Sequence, residues 1–331
     1  MSDPEIVPSS PGPLPPAPPV QPPNTVFLGP NGIRAGWRVV IFLLIAGVIG
    51  LLLGLLAALV LVGRYGVEGA RAAAQISQLG PAALGFMELF LLLPTAGAAL
   101  VMSRIERRSW GVYGLPLRSA FRGNFWIGGF VGFSSISACL LAIFLLRGFH
   151  LTGLATRGGT IISATIAWSL AFVIVGLAEE FSFRGYLQYT LTTGIGFWPA
   201  AVLLSLLFAL AHSGNPGETS FGLLSVVVFG LVFCLVLRRT GNLWWAVGFH
   251  AGWDWGQTFF YGVSDSGIPP YHNLFNSSFN GPRWLTGGTV GPEASIFTPI
   301  VLLIVAFVVW RVYRENKYQT SAVGPQMSAT R

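Results

Sequence analysis

Apolar residues run through this chain in long unbroken blocks, not in the one-face stripes of a soluble helix. Eight blocks stand out, at roughly 38–63, 81–103, 124–146, 159–188, 196–212, 221–237, 242–263 and 294–312. At 1.5 Å per residue, blocks of this kind match a helix crossing about 30 Å of hydrocarbon. The fifth, sixth and eighth lie near the short limit. Pro94, Pro199 and Pro299 fall inside blocks, but neighbouring helices in a membrane re-satisfy the backbone groups that a proline frees. The pattern predicts an all-α polytopic membrane protein of about eight transmembrane helices.

Composition agrees. A length of 331 residues would suit two soluble domains. Yet 53% of the residues are hydrophobic and 9% charged, against about 25% charged in a soluble domain, and the mean hydropathy is +0.66. The net charge of +7 is therefore a topology signal. Its arginines are spread over short loops, so no nucleic-acid partner is expected; the partner is the lipid bilayer. With the N-terminus inside, thirteen Lys and Arg residues collect on one side, including Arg104, Arg107, Arg108, Arg238, Arg239 and Arg311. Five fall on the other, namely Arg64, Arg71, Arg147, Arg157 and Arg283. That asymmetry places both termini in the cytoplasm, and in a prokaryote puts the multi-pass chain in the plasma membrane. Trp37, Trp126, Trp198, Trp244, Trp245 and Trp310 sit at the cytoplasmic ends of their blocks, as an aromatic belt does. Cys139 and Cys234 both lie in apolar blocks and suggest neither a disulfide nor a metal site.

Residues 1–33 hold eleven of the 22 prolines and read as a disordered, Pro-rich cytoplasmic tail. Residues 34–157 carry the N-terminal helices 1–3, and 158–262 a polar core of helices 4–7. An external loop spans 263–293, the last transmembrane helix 294–313, and a second cytoplasmic tail 314–331.

The polar core carries the chemistry. From Gly158 to Ala178 there is no charge, and then comes Glu179-Glu180-Phe181-Ser182-Phe183-Arg184. One charge at mid-bilayer costs about 2.5–3.5 kcal/mol even on the lenient translocon scale, so three together need pairing or a wet cavity. Glu180 and Arg184 stand four apart on one helical face and read as a structural ion pair. Glu179 is rotated about 100° away and is left free as a general base. His212 closes the fifth block, where a lone histidine suits an interface as readily as a site. His250 and Asp254 share one face of the seventh block and are hard to explain as packing. Measured from the cytoplasmic ends of their blocks, His250 lies about 12 Å deep and Glu179 about 13 Å, whereas His212 lies about 24 Å deep. The three depths meet only if the fifth helix begins inside the membrane or tilts. Glu88 lines the same cavity or snorkels to the external face about 10 Å away, and snorkelling is the expectation.

Glu179-Glu180-x-x-x-Arg184, Phe208-x-x-x-His212 and His250-x-x-x-Asp254, in that order on successive helices, resemble the three motifs of the CAAX-protease and bacteriocin-processing family of intramembrane endopeptidases. The resemblance covers residues 158–262 and implies a catalytic cavity inside the bundle, with Phe208 lining it. It implies that Glu179 activates a water that His212 helps to hold, while His250 and residue 254 stabilise an oxyanion. Asp254 departs from the asparagine of the prenyl endopeptidases, and an ionised Asp cannot donate a hydrogen bond. Protonation, orientation of His250 and metal binding are the open roles for Asp254. Glu179, His212, His250 and Asp254 also make a donor set for Zn²⁺, though without the His-Glu-x-x-His spacing. Catalysis by glutamate with no cofactor is the expectation and zinc the alternative. The substrate is expected to be a membrane-associated peptide or protein, cut near the cytoplasmic side. A proton-coupled transporter and a non-catalytic scaffold or immunity protein are the competing readings.

Overall fold

A computed structural model describes residues 25–29, 32–73 and 80–318. Most of the proline-rich tail, and residues 319–331 of the C-terminal one, lie outside the described residues. Ten helices follow in chain order: α1 Ala35–Ala73, α2 Pro81–Ile105, α3 Gly123–Leu145, α4 Thr160–Arg184, α5 Tyr186–Ile195, α6 Phe197–His212, α7 Ser220–Thr240, α8 Trp244–Asp254, α9 Arg283–Thr286 and α10 Phe297–Val312. The chain is a polytopic helical membrane protein. Among the described residues, five stretches are long and apolar enough to span a bilayer: Ala35–Gly69, Pro81–Ile105, Gly123–Leu145, Thr160–Ile195 and Ser220–Thr240. The helices α6 and α10 are apolar but only 16 residues long. A π-helical turn, Trp255–Phe260, prolongs α8.

Local signals explain several boundaries. Pro81 opens α2, where its missing N–H costs nothing. The Thr219 hydroxyl caps α7 by accepting from Gly222 N–H at 3.0 Å.

Two antiparallel ribbons join the helices. One pairs β1 (Leu28–Gly29) with β2 (Gly32–Ile33). The other pairs β3 (Phe149–Leu154) with β4 (Phe275–Phe279) across a bulge between Leu151 and Gly153. Both β3 and β4 fall in segments that the sequence reads as connections between apolar blocks. The ribbon ties the 263–293 loop to the α3–α4 connection.

The most extensive helix contact joins α3 to α8. Both helices carry a Gly-x-x-x-Gly stripe, Gly128/Gly132 on α3 and Gly248/Gly252 on α8. A Cβ on any of the four would collide with the backbone of the other helix. Such stripes let helices approach closely in lipid, where packing rather than the hydrophobic effect drives association. This contact buries α8 from Trp244 to Phe249 and fixes the helix that carries His250 and Asp254. Gly132→Val is therefore expected to abolish recovery of monodisperse protein from detergent. Gly54→Val, where nothing lies within 4 Å, should leave the yield unchanged; equal yields of the two would refute the packing role.

Candidate active site

A cavity of about 330 Å³ opens between α2, α4, α6, α7 and α8 and the loop that follows. Glu179, Phe208, His212, His250 and Asp254 all line it. The three motifs, dispersed over some 75 residues of chain, thus meet in one place.

The depth conflict resolves through α5. Thr160–Ile195 is one apolar stretch of 36 residues, so the chain runs on well past Glu179 before turning. Gly196, with φ +88°, makes that turn. His212 ends α6, 15 positions after Phe197, and Glu179 precedes Ile195 by 16. The two arms match to within one residue, and the side chains arrive level. Arg238 lies 5.0 Å from the Phe197 ring centroid at the start of α6, and His212 is about 22 Å further along that helix. His250, by contrast, is six positions past Trp244, about 9 Å along α8, and Asp265, Ser266, Ile268 and Glu293 of the 263–293 loop line the cavity as well.

Glu179 Oε2 lies 3.8 Å from His212 Nε2 and 3.5 Å from His250 Nε2. His212 Nδ1 sits 2.9 Å from the Phe208 carbonyl. A carbonyl only accepts, so Nδ1 donates to it, and Nε2 is the nitrogen that faces Glu179. The Phe208 ring packs against His212 at 4.4 Å between centroids and holds the imidazole in that pose. On the opposite side, His250 Nδ1 donates to Glu180 Oε1 at 3.0 Å, and Arg184 Nη1 reaches the same oxygen at 3.3 Å. Glu180 and Arg184 are completely buried. The structural pair thus has a second task, because it fixes which nitrogen of His250 faces the cavity. Asp254 Oδ2 stands 3.5 Å from that nitrogen, Nε2.

Residues 160–256 match the Rce1-like family, type II CAAX prenyl endopeptidase Rce1-like. The Rce1-like segment covers less than a third of the chain, but it holds Glu179, Glu180, Arg184, His212, His250 and Asp254. It agrees with the motif resemblance, and the domain it marks is that of a peptide hydrolase in membrane. Searches of curated proteins and of solved structures gave no match.

Three further acids line the cavity from outside the Rce1-like segment. Glu88 projects from α2, which corrects the snorkelling expectation. Gly85 packs against Ala171 and Ile174 of α4, and Glu88, one turn on, shares the face that meets α4. Asp265 and Glu293 come from the loop, for which no site role was expected. The π-helical turn supplies Thr258, whose hydroxyl donates to Asp265 Oδ2 at 3.0 Å. Glu293 Oε2 accepts from the Ser266 N–H at 2.9 Å and from its hydroxyl at 3.2 Å. Burial pushes the Asp265 carboxyl up to about 6. Burial, reinforced by Asp265, pushes that of Glu293 up to about 8. The sequence did hold a signal: the chain has only 12 acidic residues, and five of them line this one cavity.

The donor atoms of Asp254, Asp265 and Glu293 all lie within 4.8 Å of one another. An all-oxygen set suits a hard divalent cation rather than zinc. Among the described residues, Glu179, His212, His250 and Asp254 do not converge in this way.

Proposed function

We propose that this protein is an intramembrane endopeptidase that hydrolyses a peptide bond in a membrane-associated protein or peptide, with Glu179 as the base. The observation that carries the reading is the placement of Glu179 Oε2 opposite two histidine Nε2 atoms, at 3.8 and 3.5 Å, inside a membrane-helix cavity.

In this mechanism a water bridges Glu179 Oε2 and His212 Nε2, since separations beyond 3.5 Å suit a bridged contact better than a direct one. Glu179 takes one proton from the water, and the resulting hydroxide attacks the carbonyl carbon. The carbonyl π pair moves to oxygen, where His250 donates from Nε2 when the ring carries both protons. Collapse of the tetrahedral intermediate breaks the C–N bond, and Glu179 returns its proton to the leaving nitrogen. The products are a carboxylate and an amine. Glu180 positions His250 through Nδ1, and Asp254 steadies the same ring from the Nε2 side.

That role for Asp254 needs no metal and suits an asparagine equally well. Asp254→Asn is expected to keep cleavage of a quenched fluorescent peptide library within about 10-fold of wild type, with both proteins indifferent to a chelator. Chelator-sensitive cleavage, or a loss beyond about 10²-fold in Asp254→Asn, would instead make Glu179, His212, His250 and Asp254 zinc ligands.

A further inference from the structure

The charge lining the cavity is lopsided. Glu88, Glu179, Asp254, Asp265 and Glu293 face it, yet among the described residues no Lys or Arg lines it. Arg184 is taken up by Glu180 behind the wall. A single catalytic base explains one of the five carboxylates, and of the other four only Asp254, beside His250, has a part in that mechanism.

Those four share a pattern. Asp254 is 5% exposed, lines the cavity and makes no hydrogen bond; its nearest polar partner is His250 at 3.5 Å. Glu88 Oε2 is buried without a hydrogen-bond partner. Asp265 and Glu293 are held in place by the neutral donors Thr258 and Ser266, so their carboxyls are oriented without a cationic side chain beside them. A carboxyl buried in this way keeps its proton or takes up a counter-charge, and among the described residues only two imidazoles line the cavity as cation candidates.

We infer that the loop-side wall of the cavity, built by Asp254, Asp265 and Glu293 with Glu88 facing it, binds the cationic side chain of a lysine or arginine next to the scissile bond. This rests on the endopeptidase reading above. Asp254 touches both His250 and the acidic group, which puts the bound cation about one residue from the bond that is cut. The remaining wall is largely apolar, with Trp168, Phe172, Phe229 and Trp253 among its residues, and suits the methylene stem of a basic side chain. A divalent cation on Asp254, Asp265 and Glu293 is the other source of positive charge. Glu88 lies outside that metal-like set, which favours a cation carried on a longer arm. Asp265 and Glu293 also lie beyond residue 256, where the Rce1-like match ends, so the preference belongs to this chain's own loop.

The test uses the full-length protein in detergent and quenched peptides that are identical except for Lys, Arg, norleucine or Glu beside the cleaved bond. In the wild type, kcat/KM for the Lys and Arg peptides is expected to exceed that for norleucine by at least about 10-fold, with Glu lowest. In Asp265→Asn/Glu293→Gln the Lys-to-norleucine ratio should fall to within about 2-fold of one. The ratio is taken on one preparation, so any folding loss scales both peptides alike. Equal cleavage of the Lys and norleucine peptides by the wild type would overturn the inference while leaving the endopeptidase reading intact. A ratio unmoved in the double variant would overturn it too. A preference abolished by chelator and restored by Mg²⁺ or Ca²⁺ would assign the acids to a metal and overturn it as well. Cleavage of none of the peptides would sink both readings together.

Discussion

Glu179→Gln is expected to lower kcat by about 10²–10⁴-fold, the range a positioned general base contributes. Glutamine keeps the shape of the side chain but cannot take a proton from water. The substitution is not expected to move the thermal midpoint, because Glu179 Oε2 makes no hydrogen bond in the fold. Its side chain is 17% exposed and faces the cavity. The loss should appear in kcat more than in KM, since the base acts in the transition state. His212→Ala combined with Glu179→Gln should cost little more than Glu179→Gln alone, because the two residues hold one water. Additive losses would mean that they act separately. The check is steady-state kinetics on the two single variants and the double.

Arg184→Ala should have the largest effect on stability, about 3–5 kcal/mol, the cost of breaking a buried pair by removing one partner. Arg184 is completely buried, with Nη1 at 3.3 Å from Glu180 Oε1 and its guanidinium 4.1 Å from the Phe208 ring centroid. Its removal leaves Glu180 as an uncompensated buried charge and opens space beside Phe208, which braces His212. Activity should fall as well, because Glu180 also holds His250. Exchanging both Arg184 and Glu180 for methionine separates the effects. An apolar pair of similar volume restores much of the stability, while His250 loses its anchor and cleavage stays low. Thermal unfolding in detergent and peptide cleavage measure the two; an unshifted midpoint in Arg184→Ala would contradict the pairing.

The helices were legible in the sequence because lipid leaves few choices: a spanning segment must be long, apolar and internally hydrogen-bonded. The motif residues were legible for the related reason that Glu179, Glu180, Arg184, His250 and Asp254 are costly inside such segments. Depth was less legible. Counting along the blocks could not show that the chain continues through α5 before α6 returns, so His212 looked out of reach of Glu179. Loop residues were least legible. Asp265 and Glu293 sit in irregular backbone, where no period marks which side chains turn inward, and Thr258 reaches Asp265 only from the π-helical turn after α8. Glu88 misled because its distance from the helix end suited snorkelling; its place in the cavity lining and the Gly85 contact with α4 show which way it faces. The Gly128/Gly132 and Gly248/Gly252 stripes did not pair α3 with α8 from sequence, because α1 carries the same spacing at Gly50/Gly54, where Gly54 meets nothing within 4 Å.

Hydrolysis in ¹⁸O-labelled water, followed by mass spectrometry of the products, tests the central claim most directly. The wild type is expected to cut a membrane-spanning peptide and leave one ¹⁸O in the new carboxylate, with or without chelator, and Glu179→Gln should yield no labelled product in the same time. Undiminished cleavage by Glu179→Gln, or no cleavage by the wild type, would contradict the assignment of Glu179 as the base of a peptide hydrolase.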